Sequence, residues 1–317
     1  MSEPLSDPAR RHRWTGAARL AASLALLWIV FRWVDASAVG ARLASLDPAW
    51  VALGLAITVA QVLVLAWRWR YTASRLGIGL PLRVAVGEYY LGIFLNQVLP
   101  GGVAGDVSRA WRHARSDVPA GPAVRAVLLE RLSAQAVMTL TAIVSVLTLR
   151  WLPVSVRVGA GTLGVMLVVA AAALLISRSA RFGTVAGRLF SDAREALVRH
   201  GAFGPQLASA VVVVASYVLV FLIAARAVGV TTPASRLLPL VAPVLMTMLI
   251  PASVAGWGLR EAAAAALWAG AGLTAEEGAA VSVAYGLLVL ASSVPGLVVL
   301  MRSVLADRGR RARPPLA

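Results

Sequence analysis

The sequence predicts an all-α fold, a polytopic bundle of transmembrane helices. Hydrophobic residues occupy 59% of the 317 positions and charged residues only 14%, whereas a soluble domain of this length needs far more polar surface. Six apolar runs are long enough for a membrane-crossing helix, which requires ~20 residues. Two further apolar stretches end in Pro- and Gly-rich sequence. These features predict six full spans plus two re-entrant or broken helical hairpins, arranged as an inverted-topology repeat.

The six predicted spans form a single transmembrane domain that covers residues 17–301. They lie at about 17–34, 49–67, 123–149, 158–177, 205–228 and 279–301. A cytoplasmic amino-terminal tail (1–16) and a cytoplasmic Arg- and Pro-rich tail (302–317) flank the domain. Because the Ala-Ser-Ala sequence at 36–38 resembles a signal-peptidase site, cleavage after the first run is the alternative to a retained first helix.

Arginines between the spans predict the orientation, because cytoplasmic loops of membrane proteins are enriched in positive charge. With the amino terminus inside, most arginines fall in cytoplasmic loops, and the first such loop holds Arg68, Arg70, Arg75 and Arg83. This distribution requires the stretch around 84–109 to enter from the cytoplasm and return to it. The stretch around 237–260 then enters from the outside, and both termini are cytoplasmic. A topology of eight full crossings is the main competitor.

Composition excludes several functional classes. The chain has no Cys, so disulfides, thiolate metal sites and a Cys nucleophile are excluded. Its three histidines, His12, His113 and His200, are too scattered for metal-ligand spacing, and we expect no metal and no cofactor.

All 30 basic residues are Arg, as is typical of a GC-rich bacterial genome, and the net charge is +16. Arginines between apolar runs indicate contact with anionic lipid at a bacterial inner membrane and not with nucleic acid.

One polar, helix-breaking motif occurs twice. The segment LPGGVAGDVSR at 99–109 aligns without a gap on IPASVAGWGLR at 250–260, sharing Pro, Val-Ala-Gly and the final Arg. Each copy follows an interrupted apolar stretch and precedes a full span. Three predicted spans separate the copies, and an odd number of crossings inverts the second copy relative to the first. Transporters built from such repeats bind substrate near the bilayer midplane, where discontinuous helices meet.

The residue types of the motif predict a hairpin tip in each copy. Proline ends a helix because it lacks an amide donor and clashes with the preceding turn, and glycine permits left-handed or closely approaching backbone. The tip residues are Pro100, Gly101, Gly102 and Gly105 in the first copy and Pro251, Gly256 and Gly258 in the second. Their freed backbone groups cannot face lipid, so the tips must be buried in protein or line a wet cavity. Kinks that serve packing alone are the alternative.

Two arginines at equivalent motif positions are the first candidates for substrate binding. Ionisable groups at membrane depth usually face a cavity and a partner, and a guanidinium group binds phosphate through two parallel hydrogen bonds. We therefore expect Arg109 and Arg260 to bind a phosphate. The alternative is that these side chains snorkel to the membrane interface. This alternative is weaker for Arg260, because Arg260 lies on the Arg-poor outer side.

Further charged and polar residues complete the predicted cavity. Glu130 and Arg131, which point about 100° apart on one span, would neutralise a hairpin arginine or carry a coupling proton, or form a purely structural ion pair. Asp106 distinguishes the first motif chemically, since the second has Trp at that position. Glu88 and Asn96 lie eight residues apart, near one face of the first interrupted helix, and we expect Glu88 to line the cavity.

The chain resembles the lysylphosphatidylglycerol synthase transmembrane-region family, also described as flippase-like membrane proteins. The resemblance rests on NQVLPGGVAGDVSR at 96–109, Glu-Arg at 130–131 and IPASVAGWGLRE at 250–261, and it extends over nearly the whole chain. It implies lipid translocation, since such a domain flips an aminoacylated phospholipid in multiple peptide resistance factors. It also implies site roles for Asp106 and Glu261, alongside Arg109, Glu130 and Arg260.

Motifs and resemblance together predict a carrier and not an enzyme. The expected substrate is a phospholipid or polyprenyl-linked lipid with an anionic headgroup. Because the chain ends after a short tail, the synthase activity of larger family members does not follow from the resemblance. The alternatives are a non-transporting scaffold for a glycosyltransferase or lipid-modifying enzyme and, more weakly, a membrane transferase in which Asp106 and Glu130 act as base.

Overall fold

In a computed structural model of the chain, the described residues form helices that are joined by turns and short loops. Those residues are 21, 24–25, 27–30, 32, 35–99, 102–115, 118–157, 159–162, 166, 185–250 and 253–311. No β-strand occurs in these ranges, so the prediction of an all-α fold is confirmed. Most of the predicted spans at 17–34 and 158–177 lies outside the described residues, as do three predicted tip residues, Pro100, Gly101 and Pro251.

Two helices in the first half of the described chain have amino ends that are capped by aspartates. The fully described helices of this half are α1 (Ala36–Ala44), α2 (Pro48–Arg75), α3 (Leu82–Val98), α4 (Ala104–Ala114) and α5 (Ala120–Thr148). Asp35 accepts hydrogen bonds from the amides of Ser37 and Ala38, and Asp47 accepts one from the amide of Ala49. These bonds satisfy amide donors that the first helical turn leaves without partners.

The second half repeats the order of helix types. Its helices are α6 (Val185–Leu197), α7 (Phe203–Ala227), α8 (Ala234–Met246), α9 (Leu259–Gly270), α10 (Ala275–Ser292) and α11 (Val294–Arg311). A 3-10 turn, Thr247–Leu249, extends α8 towards the second motif. In each half a long helix precedes a pair of shorter ones, and another long helix follows them.

Four helical segments of the described chain are long and apolar enough to cross a bilayer. They are Pro48–Arg75, Ala120–Thr148, Phe203–Ala227 and Ala275–Leu305. They coincide with four of the six predicted spans and identify the chain as a membrane protein. Large apolar side chains on them, including Leu63, Val144 and Leu219, are about half exposed. In a bilayer this exposed apolar surface faces lipid, while the helical backbone satisfies its own hydrogen bonds.

Equivalent helices of the two halves have equivalent neighbours. Helices α2 and α7 pack against each other, α4 packs on α5 as α9 packs on α10, and α1 packs on α10 as α6 packs on α5. Helix α2 contacts α5 of its own half and α10 of the other, and α7 likewise contacts α10 of its own half and α5 of the other. The first short helix of each pair also packs against the opposite half, α3 on α11 and α8 on α5.

Helices α3 and α4 form a tight antiparallel hairpin around the first motif. Gly105 lies so close to Gly92 that a Cβ atom at Gly105 would be 2.0 Å from the Gly92 carbonyl oxygen. The Asn96 side chain accepts a hydrogen bond of 2.8 Å from the Gly105 amide, which satisfies a donor in the first turn of α4. Further along, Arg112 donates to both carboxylate oxygens of Glu88. The small residues of the motif thus permit the chain to turn back on itself.

The second motif also folds back onto the helix before it. Ala255, Gly256 and Gly258 have positive φ angles of 51°, 81° and 88°, so the chain reverses through left-handed backbone that glycine adopts readily. A Cβ atom at Gly256 would lie 2.7 Å from the Met248 side chain. The Glu261 carboxylate accepts a hydrogen bond of 2.6 Å from the Gly258 amide and caps α9.

Replacing Gly105 by Ala is expected to lower the free energy of unfolding by about 1–3 kcal/mol, because the added methyl group forces the two helix backbones apart. Gly87→Ala, on α3, is the matched control, since a Cβ atom there meets only Val299 at 3.9 Å. Unfolding of the purified protein by SDS in mixed micelles, followed by tryptophan fluorescence, measures both variants. Equal stability of Gly105→Ala and the wild type would show that the hairpin is not closely packed at this point.

Candidate functional site

A cavity of about 260 Å³ lies where the two hairpins meet. Its wall includes Asn96 and Gly102 from the first hairpin and Met248, Leu249 and Ala255 from the second. Helices α2, α5, α7 and α10 complete the wall. The two motifs, which lie 151 positions apart in the sequence, therefore contribute to one space inside the bundle.

Glu130 is the centre of the buried polar groups around this cavity. It lies on α5, and only 1% of its surface is exposed. Its carboxylate accepts a hydrogen bond of 2.5 Å from the Tyr89 hydroxyl, and it lies 3.6 Å from Arg109 and 3.8 Å from Arg68. A carboxylate buried to this degree is stable in its charged form only because cationic groups and donors surround it.

Asp106 links the first hairpin to α5. Its carboxylate pairs with Arg109, three residues further along α4, and with Arg131 of α5. Arg131 also donates a hydrogen bond to the Gly102 carbonyl at the tip of the hairpin. Because neighbouring residues on a helix point in different directions, Glu130 and Arg131 reach different residues of the first motif, Arg109 for Glu130 and Asp106 for Arg131.

Arg109 is held over aromatic rings, and one of its guanidinium nitrogens makes no hydrogen bond to the described residues. The guanidinium carbon lies 3.9 Å from the centre of the Tyr89 ring and 5.0 Å from that of Trp69, a favourable cation–π geometry. Only 3% of the residue is exposed. Its Nη1 atom lies 3.6 Å from the Glu130 carboxylate and makes no hydrogen bond to the described residues, and the side chain lines the cavity. Arg109 can therefore bind an additional anionic oxygen.

Arg68 is a buried residue of the site that the sequence analysis missed. We expected it in a cytoplasmic loop, but α2 continues to Arg75, and Arg68 is fully buried within it. It donates hydrogen bonds to Ser133 on α5 and to Ser209 on α7. A sequence signal existed, because Gln61, Arg68 and Thr72 recur at helical spacing and form one polar face within an apolar run.

The charged groups around the cavity do not balance. Three arginines, Arg68, Arg109 and Arg131, meet two carboxylates, Asp106 and Glu130. Among the described residues this group therefore carries one excess positive charge. Arg131 is the most exposed of these groups, with 37% of its side chain accessible, so the excess charge lies at the exposed edge of the cavity, where it attracts a negatively charged ligand.

Arg260, the second predicted phosphate ligand, is enclosed by protein. Its guanidinium group bonds to the Glu261 carboxylate at 2.8 Å and to the Ser282 hydroxyl at 2.9 Å, and it packs near the rings of Trp257 and Tyr285. Both Arg260 and Glu261 have no exposed surface. Tyr285 lines the cavity, whereas Arg260 and Glu261 do not. The structure thus separates the two arginines that we expected in one shared site.

The remaining predicted residues divide between the cavity and the hairpin contacts. Asn96 and Gly102 line the cavity, while Glu88 pairs with Arg112 away from it. Gly105, Gly256 and Gly258 shape the two turns and do not line the cavity.

The sequence was also compared with families of known proteins. A family model described as Lysylphosphatidylglycerol synthase TM region matches residues 16–296. Comparison with curated proteins found no match.

Replacing Glu261 by Gln is expected to destabilise the protein by about 3–5 kcal/mol, because it leaves the Arg260 charge buried without a carboxylate. Glu277→Gln is the matched control, since Glu277 forms a half-exposed ion pair with Arg42 that contributes about 0–1 kcal/mol. SDS-induced unfolding of both variants tests the difference. Similar losses from the two substitutions would contradict a structural role for the Arg260–Glu261 pair.

Proposed function

The chain belongs to the lysylphosphatidylglycerol synthase transmembrane-region family, and we propose from this membership and from the cavity that it is a lipid carrier. It moves the anionic headgroup of a phospholipid or polyprenyl-linked lipid across the bacterial inner membrane. The acyl or prenyl chains stay in the bilayer during this movement.

The excess positive charge in the cavity is the observation that carries the proposal. Arg109 and Arg131 line the cavity together with Asp106 and Glu130, and Arg68 adds a third cation behind them. A bound phosphate would balance the charge and accept a hydrogen bond from the Nη1 atom of Arg109, which makes no hydrogen bond to the described residues. Hydrogen bonds between charged groups are about twice as strong as those between neutral groups, so this wall favours phosphate over a neutral headgroup.

The apolar part of the wall explains how a lipid can be bound by its headgroup alone. Met138, Val213 and Leu245 line the cavity beside the charged groups. Leu249 lines it as well, and 42% of Leu249 is exposed. We infer that the cavity opens towards the lipid at this residue, so that a lipid can insert its headgroup while its tails remain outside.

We further propose an inverted-topology repeat with both termini in the cytoplasm. In this topology the two hairpins are re-entrant and enter the membrane from opposite sides, between six full spans. The matching neighbours of equivalent helices support the repeat. The Asp106–Arg131 pair connects the first hairpin to α5, and alternate opening of the cavity requires that contact to break.

Arg109→Gln is expected to slow lipid movement at least tenfold, because loss of charged hydrogen bonds costs about 1.5–3 kcal/mol. Arg131→Gln, at the more exposed edge of the cavity, is a second variant with the same expected direction. Arg112→Gln is the matched control, because Arg112 lies on the same helix and pairs with Glu88 away from the cavity. Transfer of acyl-labelled fluorescent phosphatidylglycerol between the leaflets of proteoliposomes, measured by dithionite quenching, gives the rates.

Equal rates for the wild type, Arg109→Gln and Arg131→Gln would exclude the cavity from transport. A second outcome would favour the scaffold alternative instead. In that case wild-type protein moves neither phosphatidylglycerol nor a polyprenyl phosphate, and it co-purifies with a glycosyltransferase or lipid-modifying enzyme.

A further inference from the structure

Glu130 faces a different arginine with each of its carboxylate oxygens. Its Oε2 atom accepts the hydrogen bond from Tyr89 and lies 3.6 Å from Arg109 Nη1. Its Oε1 atom lies 3.8 Å from Arg68 Nε. Tyr89 and Arg109 belong to the two helices of the first hairpin, whereas Arg68 belongs to the long helix α2. The carboxylate therefore has one cationic neighbour on the hairpin and another on a long helix.

The Arg68 guanidinium group is held in place by the long helices around it. Its Nη1 atom donates hydrogen bonds of 2.8 Å to the Gln206 carbonyl and 2.7 Å to the Ser209 hydroxyl, both on α7. Its Nη2 atom donates a bond of 2.8 Å to the Ser133 hydroxyl on α5. Arg68 is fully buried and does not line the cavity. It therefore stays beside Glu130 whatever the cavity contains.

Arg109, in contrast, is placed to exchange partners. Its side chain lines the cavity, and its Nη1 atom is close to Glu130 without a hydrogen bond to it. Its Nη2 atom bonds to Asp106, which lies on the same helix and moves with it. When Nη1 bonds to a phosphate, Glu130 loses one of its two cationic neighbours. A buried carboxylate without any cation is strongly unfavourable, so the second cation becomes decisive at that moment.

Charge balance in the occupied cavity gives Arg68 the same role. With a singly charged phosphate bound, each of the three arginines has one anion. Arg68 keeps Glu130. Arg131 keeps Asp106, and Arg109 takes the phosphate. Without Arg68, the phosphate and the Glu130 carboxylate would compete for Arg109.

We propose that Arg68 is a positioning residue for transport, the fixed counter-ion of Glu130 that allows Arg109 to leave that carboxylate for the phosphate of a lipid. Arg68 acts through Glu130 and does not touch the lipid. This inference rests on the proposed function and adds the residue that determines how strongly Glu130 retains Arg109.

A second substitution that repairs the first tests the proposal. Arg68→Met is expected to slow the transfer of labelled phosphatidylglycerol in proteoliposomes by about tenfold or more, because Glu130 then retains Arg109 through a charged contact. Adding Glu130→Gln to Arg68→Met removes the competing carboxylate and should raise the rate again by about the same factor. If Arg68 served only to hold α5 and α7 together, the double variant would be at least as slow as Arg68→Met.

Two further variants separate the charge of Arg68 from its hydrogen bonds and from its helix. Arg68→Lys keeps the charge with fewer hydrogen bonds and should be faster than Arg68→Met. Arg75→Gln is the matched control and should transport at the wild-type rate. Arg75 lies further along the same helix and pairs with Glu195 at 3.2 Å, and neither residue lines the cavity.

Unfolding by SDS tests the Arg68–Glu130 pairing without any lipid. The SDS fraction at half-unfolding is expected to fall less in the double variant than the shifts of Arg68→Met and Glu130→Gln added together, because residues in one ion-pair network are coupled. If Arg68→Met does not fold and the double variant does, the same repair is seen in stability.

Two negative outcomes have different meanings. Additive unfolding shifts, or a double variant no faster than Arg68→Met, would overturn the role of Arg68 and leave the carrier function standing. Failure of the wild type to move either phosphatidylglycerol or a polyprenyl phosphate would overturn the proposed function and this inference together.

Discussion

Guanidinium groups inside an apolar helix bundle must be paired with carboxylates, carbonyls or aromatic rings, and the described core is organised by this requirement. Glu130 is where several such pairings meet, since it faces Arg68 from α2 and Arg109 from α4. Arg68 in turn bonds to Ser209 on α7. Because removing one partner leaves a buried charge uncompensated, the relative positions of α2, α4, α5 and α7 are determined by polar contacts as well as by packing.

The two motifs use the same arginine position for different purposes. In the second half, Glu261 follows Arg260 directly, and Ser282 bonds to both residues, so the guanidinium is saturated and enclosed. In the first half, Arg109 reaches both Asp106 and Glu130, and its Nη1 atom, 3.6 Å from Glu130, makes no hydrogen bond to the described residues. The chemical difference between the halves therefore places the anion-binding capacity in the first hairpin, while the second contributes a rigid, apolar wall.

Close helix packing and the site depend on each other. The contact of Gly105 with Gly92 brings α4 against α3, and this approach places Arg109 over the Tyr89 ring. The bond from the Gly105 amide to Asn96 satisfies the start of α4 beside the cavity. A larger residue at either glycine would move the guanidinium away from Glu130, so the backbone geometry of the hairpin positions the charges that line the cavity.

By itself the sequence determined the all-α membrane fold, four spans that the described helices confirm, and the family. Apolar run length and the Pro, Gly and Arg spacing of a repeated motif are local properties that a single chain displays directly. It also predicted that Asp106, Arg109, Glu130 and Arg131 line a cavity, as they do, because charged residues are rare within apolar runs. Only the tertiary structure decided which charges meet, that Arg68 is buried and that Arg260 and Glu88 lie away from the cavity. Which charges pair depends on how helices that are distant in the sequence pack together. Residue types and their spacing along the chain do not give the distances in space between those helices.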